Sequence, residues 1–585
     1  MKIENPHSMK LNLYLVPLYF VLNANNMKRY ILPALMGAMT MPLFGQAVVD
    51  AVRFGSSNIT GTARYRSMAG AFGALGGDPS AMTDNPAGIG IYRGNSEISF
   101  TPNLSFSHSK VNGTVKTDNK KSDVSVSNAA WILSIKTNGD HLVNFNIGLG
   151  FNHQEGMQRK YQMIVDLPSN SFGDYLANRA NNALLVTGNY MNPSFLIDEA
   201  GSNSLFPLTA LYAGQTHAVE NDIDPETKEE IGGVINFDRQ DGAPAYQQLY
   251  VTENNRTDEY NLNVSGNWDD FLYAGLTVSI ADLNSTIQTD FFEDYNRPNY
   301  TQYQNNLETK GNGIGLKAGL LVKPTDTWRV GFAAHTPTWY KMEDLYNGTM
   351  RTDFIDPETN KDIIRGGKTY SYKYRYNSPW QMQVSSAWVI AGRALIGAEA
   401  DFQFFGSQKF KIDEEEWDDG AFDVYKDLFK DYCTVQQTIK VGGEYRLDQN
   451  WSARLGYAYK SSPYKEELYN HPDASRSWTN GNYGDDNSYL FDSSSKPNHN
   501  LLGEQQYYTA GLGWSNDWCH FDISFMYRNI NEKVAAFPTT DAVYNVDGNG
   551  ICTFTDDYNY GAVRGTYCDL KTRVLTWDVT FGMRF

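Results

Sequence analysis

The sequence predicts an all-β protein, a fourteen-stranded antiparallel transmembrane β-barrel with a small N-terminal plug, or hatch, in its lumen. Three observations carry that expectation. The chain ends in an alternating strand that stops on Phe585, strand-like segments are joined by links that are short and long in turn, and a basic-then-apolar leader ends at Gly45-Gln46-Ala47.

Composition sets the frame. The 585 residues are 14% aromatic, with 38 Tyr, 30 Phe and 12 Trp, and only 20% are charged. A Tyr-, Asn- and Gly-rich chain suits many strands with polar loops. The net charge of −18 excludes nucleic acid as a partner, because a phosphate backbone needs a basic footprint. After Ala47 no apolar run reaches the 18 residues that a transmembrane helix requires.

The leader comes first. Met27-Lys28-Arg29 is a basic n-region, Ile31 to Phe44 an apolar stretch, and Gly45 and Ala47 are small residues at the cleavage positions. Residues 1–47 are therefore expected to be a signal peptide with an over-called N-terminal extension, translation starting at Met27. Residues 48–96 form the expected hatch, and 97–585 the barrel with its long outer loops, the largest at 161–257.

Strands are expected near 97–110, 124–136, 142–160, 258–267, 271–293, 312–323 and 328–345. They continue near 368–389, 394–410, 434–446, 451–463, 504–515, 519–535 and 571–585. Links at 137–141, 268–270, 324–327, 390–393, 447–450 and 516–518 are tight, with turn formers such as Asn138-Gly139, Pro324 and Asn516-Asp517. Links at 111–123, 161–257, 294–311, 346–367, 411–433, 464–503 and 536–570 are long. An even strand count with tight turns at one rim and long loops at the other is the pattern of closure in a bilayer. It implies an integral protein of a bacterial outer membrane, with both termini periplasmic.

Within strands the faces separate with a period of two. Trp451, Ala453, Leu455, Tyr457 and Tyr459 alternate with Ser452, Arg454, Gly456, Ala458 and Lys460. Trp328, Trp451 and Trp514 sit beside tight turns, as one aromatic girdle would. Parity places Lys373, Arg375, Arg454, Arg528 and Arg584 inward, with the acids Glu399, Asp401 and Asp522 as partners for most of them. Pro102 and Pro379 fall inside strands and lack the N–H that a ladder needs, so each is expected to mark a bulge or gap.

The hatch segment is rich in Gly and Ala and runs through Asp84 into Asn85-Pro86-Ala87-Gly88, shortly before the first strand. Here the chain resembles the outer-membrane long-chain fatty-acid and hydrophobic-compound transporters of the FadL and TodX type. The resemblance implies an Asn-Pro-Ala hatch inside a fourteen-stranded barrel and passive transport of fatty acids or other hydrophobic compounds. It also implies lateral release at a kinked strand, for which Pro102 is favoured because its strand follows the hatch. One or two of Lys373, Arg375, Arg454 and Arg528 would then hold a ligand carboxylate.

The implied partners are a hydrophobic small molecule, outer-membrane lipid and lipopolysaccharide, and the barrel-assembly machinery through Phe585. A haem or amphipathic-nutrient receptor, with His217 as a candidate ligand, and a surface or adhesion protein using its large loops are the alternatives. Nothing suggests an enzyme, a cofactor or a metal site: GxSxG, HExxH and Walker A patterns are absent and the nine His are scattered. The run Asp413 to Asp419 reads as a solvated acidic loop. Cys552 and Cys568 share the last outer loop and could bridge it, whereas Cys433 and Cys519 belong to opposite rims.

Overall fold

The computed structural model describes residues 48–585 apart from 95, 114, 169, 188–207, 224–229, 237–243, 298, 356–360, 413–422, 471–498, 538–543, 547–551, 555–562 and 564. The expected signal peptide and the acidic run at 413–419 thus lie outside the described residues.

Fourteen antiparallel strands close into one barrel. The first seven are β1 (Glu97–Asn112), β2 (Lys116–Lys136), β3 (Leu142–Asp166), β4 (Tyr246–Trp268), β5 (Leu272–Arg297), β6 (Asn299–Val322) and β7 (Trp328–His335, resuming at Trp339–Ile355). Next come β8 (Asp362–Asn377, resuming at Trp380–Ile390), β9 (Ala394–Phe404, resuming at Lys409–Ile412) and β10 (Val435–Arg446). The last four are β11 (Trp451–Lys460), β12 (His499–Ser515), β13 (Cys519–Ala535) and β14 (Cys568–Arg584). Each pairs with its neighbour in sequence, and β14 returns to β1 with Met583 opposite Ile98. No helix among the described residues is long and apolar enough to cross a membrane. The crossing is made by strands.

The lipid-facing surface carries exposed Ile98, Phe100, Trp131, Leu276, Phe332, Leu455, Trp577 and Phe581 around the wall. Trp328 pairs with Trp388 and Trp451 with Trp514 next to the tight turns, which makes the expected girdle. Inside, small and polar residues face the lumen, Asp578, Thr580 and Ser524 among them.

Three of the links expected to be long are mostly strand. β1 turns into β2 at residues 113–115, one residue separates β5 from β6, and β7 runs on to Ile355. The alternation does persist there, for Tyr303 and Leu307 are buried between Gln302, Gln304 and Glu308. Beyond the membrane the outward face meets water and becomes polar, so the apolar contrast that reveals a strand fades.

The described part of the second long connection is folded. Its helices α3 (Phe172–Thr187) and α4 (Leu208–Gln215) bring Phe172, Tyr175, Leu176 and Tyr212 against Phe291 and Tyr303 of the long strands and Phe537 just after β13. The apolar patches expected at 183–186 and 205–212 fall mostly on side chains outside the described residues. Cys433, Cys519 and Cys568 carry free thiols, so the Cys552–Cys568 bridge left open by the sequence is not made.

Candidate functional site

The lumen is filled by the segment before β1. It begins with α1 (Val48–Gly55), followed by α2 (Ala63–Ser67) and two 3-10 turns at Pro79–Met82 and Pro86–Ile91. Gly and Pro break this stretch into short pieces that can follow a curved wall. Asp78 and Asn85 cap the two turns through Ser80 N–H and Ala87 N–H. Prolines at the first helical position need no hydrogen bond there.

Asn85 has two tasks. Its carboxamide oxygen caps the turn, while its Nδ2 donates to the carbonyl oxygens of Gly73 (2.6 Å) in the hatch and Leu320 (3.2 Å) in β6. Pro86 and Ala87 lie on bare wall backbone. A Cβ on Gly319 would collide with the Asn85 amide oxygen, and one on Gly275 with the Pro86 carbonyl. Gly88 packs on Gly76 at a distance that leaves no room for a side chain. The Asn-Pro-Ala-Gly run is therefore a docking motif that needs glycine on the wall.

Farther round, Arg66 donates to Asp578 at 2.8 Å, both side chains fully buried. Asp578 also accepts from Asn103 (2.7 Å) and Ser524 (2.8 Å). Ala63 N–H donates to Thr580 Oγ1 at 2.7 Å, and Arg64 pairs with Glu444 at 2.9 Å. On the opposite wall Gly73 N–H meets Glu399 (2.7 Å), whose other oxygen pairs with Lys440 (2.6 Å). Polar groups on several strands thus rivet the hatch to the wall round its rim.

Above this seal α1 occupies an apolar chamber. Val48, Val49, Ala51 and Val52 are buried against Tyr340, Tyr374, Tyr376, Phe410, Tyr464 and Leu502. The Tyr376 hydroxyl donates to the Ala51 carbonyl at 2.9 Å. Beside the helix remains a cavity of about 70 Å³ lined by Val49, Val52, Arg159, Arg528, Gln505 and Leu502 among others. A space of that size beside α1 holds only a few water molecules.

The chamber floor is cationic. Arg159 pairs with Glu253 (2.8 Å) and Glu532 and is neutralised. Arg528 donates from Nε (3.1 Å) and Nη2 (2.8 Å) to the neutral Gln505 Oε1, and Lys460 donates to the Ser57 carbonyl. Neither has a carboxylate partner among the described residues, although both are buried. Among the described residues Gln505 Nε2 has no acceptor.

The expected site residues divide as follows. Arg528 points into the chamber. Arg454 points inward but is taken by Glu444 and Asp522, each at 2.6 Å, and Arg584 is paired with Glu97 at 3.1 Å. Lys373 and Arg375 are a correction: they face outward, and Tyr374 and Tyr376 between them face in. The cause is the break at Ser378-Pro379. Below it the inward residues are Gln383 and Ser385, above it Tyr374 and Tyr376, so one extra residue flips every side chain in the upper arm.

At Pro102 the register shifts against β2, and the ladder to β14 skips Thr101 and Pro102. A wider interruption joins Pro337 in β7, Pro379 in β8 and residues 405–408 in β9. It touches the chamber, because α1 ends on Gly55 directly against Pro379 and Tyr376. His217 sits in the turn after α4 with φ of 59°. The aromatic chamber and Lys460 went unread in the sequence. The alternating Tyr372, Tyr374 and Tyr376 carried the signal, once the face had been assigned correctly.

The closed barrel, its exposed apolar belt and the filled lumen define a transmembrane β-barrel of the outer-membrane type. Residues 273–482 match the family model described as outer membrane protein transport protein (OMPP1/FadL/TodX), which bears out the resemblance drawn from the hatch. Among solved structures, a Pseudomonas aeruginosa FadL homologue is 15% identical with a TM-score of 0.49, covering 90% of this chain and 99% of its own. The toluene transporters TodX of P. putida (10%, TM-score 0.46) and TbuX of Ralstonia pickettii (12%, TM-score 0.44) show the same coverage. A comparison with curated proteins gives no match.

Proposed function

We propose that this chain passively carries amphipathic hydrophobic acids, of the long-chain fatty-acid kind, across the outer membrane. The observation that supports an acidic head group is the pair Arg528 and Lys460, buried beside the apolar chamber with no carboxylate among the described residues. An unpaired buried cation is costly. A cargo carboxylate would satisfy both, whereas a bare aromatic hydrocarbon would leave them as they are. The cargo tail would take the place of α1 among Tyr374, Tyr376 and Leu502.

In this reading the tight-turn rim and both termini face the periplasm and the long loops face outward. The hatch at Asn85-Pro86-Ala87-Gly88 keeps polar solutes out. A tail gains about 0.8 kcal/mol for each CH₂ kept from water, so sideways release into the bilayer is favoured over release into the periplasm. Two wall gaps suit it: the Pro102 bulge, which adjoins the hatch, and the Pro379 break, which adjoins the chamber. Phe585 serves assembly.

The experiment is uptake into proteoliposomes of labelled oleate, with swelling in arabinose measured alongside. Oleate uptake without swelling is expected. Swelling would indicate a porin, and neither signal would indicate a surface protein.

A further inference from the structure

Four arginines are buried among the described residues: Arg66, Arg159, Arg454 and Arg528. Three of them hold carboxylates. Arg66 has Asp578 at 2.8 Å, Arg159 has Glu253 at 2.8 Å and also Glu532, and Arg454 has Glu444 and Asp522 at 2.6 Å each. The fourth faces an amide. Gln505 Oε1 accepts from Arg528 Nε at 3.1 Å and Nη2 at 2.8 Å, the two donors along one edge of the guanidinium. A carboxylate would sit there in the same way, with a full charge in place of an amide dipole. The amide oxygen therefore offsets the cost of burying the guanidinium only in part.

The surroundings of Gln505 fix which way its amide points. Oε1 also accepts from the Tyr507 hydroxyl at 3.0 Å, and the Tyr507 ring lies 5.4 Å from the guanidinium carbon. Three donors converge on one oxygen, and turning the amide over would set its NH₂ against the guanidinium N–H groups. Nε2 is thereby directed away from Arg528. Gln505, Arg528 and Asn255 all line the cavity beside α1. Gln505 Nε2 and Asn255 Nδ2 are both without an acceptor among the described residues. The acids on the same lining are occupied: Asp50 holds Arg53 at 2.8 Å, and Glu253 and Glu532 hold Arg159. Lys460 lies directly opposite Gln505 on β11, its ammonium on the Ser57 carbonyl. Asp401, whose charge reaches Lys460, already holds Lys440 at 2.8 Å. Gln505 thus stands between two cations on neighbouring strands, in a space whose spare amide groups are donors.

We infer that Gln505 sets the charge selectivity of the head-group site. Standing neutral where the other buried arginines meet an acid, it holds Arg528 in place, leaves the guanidinium charge to a cargo carboxylate and adds Nε2 as a further donor. This rests on the acidic cargo proposed above and names the residue that lets the site accept one. Through Oε1 Gln505 positions Arg528, and through Nε2 it touches the cargo. A carboxylate brings two oxygens with about four lone-pair sites, enough for Arg528, Gln505 Nε2 and the Lys460 ammonium at once. A hydroxyl head brings one oxygen and gains far less from the charge on Arg528.

The test measures binding of tritium-labelled oleate and oleyl alcohol to the full chain in detergent. Gln505→Glu keeps the size and shape of the side chain, gives Arg528 a carboxylate of the chain's own and turns the Nε2 donor into an acceptor. It is expected to bind oleate roughly ten- to a hundredfold more weakly than wild type, the scale of hydrogen bonds to charged groups, and oleyl alcohol as wild type does. Gln505→Met keeps the bulk without introducing an acid, so it should lose less oleate affinity than Gln505→Glu and still prefer oleate to the alcohol. Gln506→Glu adds the same charge to the outward face of the same strand and should leave both ligands unchanged. Oleate bound by Gln505→Glu as tightly as by wild type, or both ligands lost together in the Glu and Met variants, overturns the inference. Wild type binding the two ligands alike would overturn the acidic-cargo reading, and this inference with it.

Discussion

Breaking the Arg66–Asp578 pair should unseat the hatch without dismantling the barrel. Both side chains are fully buried, and their 2.8 Å contact joins α2 to β14. Removing one partner of a buried pair costs about 3–5 kcal/mol, because a charge is left without compensation. In Arg66→Met, Asp578 keeps the neutral donors Asn103 and Ser524, so the low end, about 3 kcal/mol, applies. At 1.4 kcal/mol per factor of ten, the undocked hatch becomes about a hundredfold more populated. Arg66→Met and Asp578→Leu should each raise bilayer conductance or arabinose swelling by that order. The double variant leaves no unpaired charge and should leak less than either single one. Singles as tight as wild type, or a double variant that leaks as much as both together, would refute the reasoning.

Other outcomes follow from the same geometry. Gly319→Val drives a side chain into the Asn85 amide and should also produce a leak, with assembly intact by heat-modifiable mobility. Cys433 is buried in the α1 chamber, and burial holds its thiol well above the usual range. Maleimide at neutral pH should therefore spare Cys433 while labelling the more accessible Cys519; oleate, or deletion of residues 48–55, should make Cys433 reactive. Rapid labelling without ligand would mean that α1 does not close the chamber. Deleting Phe585 removes its backbone hydrogen bonds with Ser96 at 2.9 and 3.1 Å as well as an exposed girdle ring, and should lower the assembled fraction. Normal surface levels would sink that expectation.

Much of the fold was legible because lipid writes a period-two pattern onto every strand. Trp451 to Lys460 and Leu575 to Phe585 show it without interruption, and tight turns such as Asn516-Asp517 divide it cleanly. Legibility stopped where the solvent changed. In Asn299 to Lys310 the outward face is polar and the inward one carries only Tyr303 and Leu307 among polar residues, so a strand passed for a loop. It failed again at Pro379, where the proline was recognised as a bulge but its consequence, the inversion of Lys373 and Arg375, was not carried through. In the site, Asn85-Pro86-Ala87-Gly88 could be found as a motif, yet its wall partners Gly275 and Gly319 could not, since contacts across some two hundred residues leave no local trace. Arg528 was placed inward correctly. That it has no acid partner among the described residues while Arg454 has two depends on neighbours on other strands, which parity does not reveal.

The central claim, that buried Arg528 and Lys460 receive an acidic head group, is tested most directly by comparing oleate with oleyl alcohol in wild type and in Arg528→Gln with Lys460→Gln. Hydrogen bonds to charged groups contribute about 1.5–3 kcal/mol, so the double variant should bind oleate roughly ten- to a hundredfold more weakly and leave oleyl alcohol unchanged. Equal loss for both ligands, or oleate binding as tight as in wild type, would contradict the account.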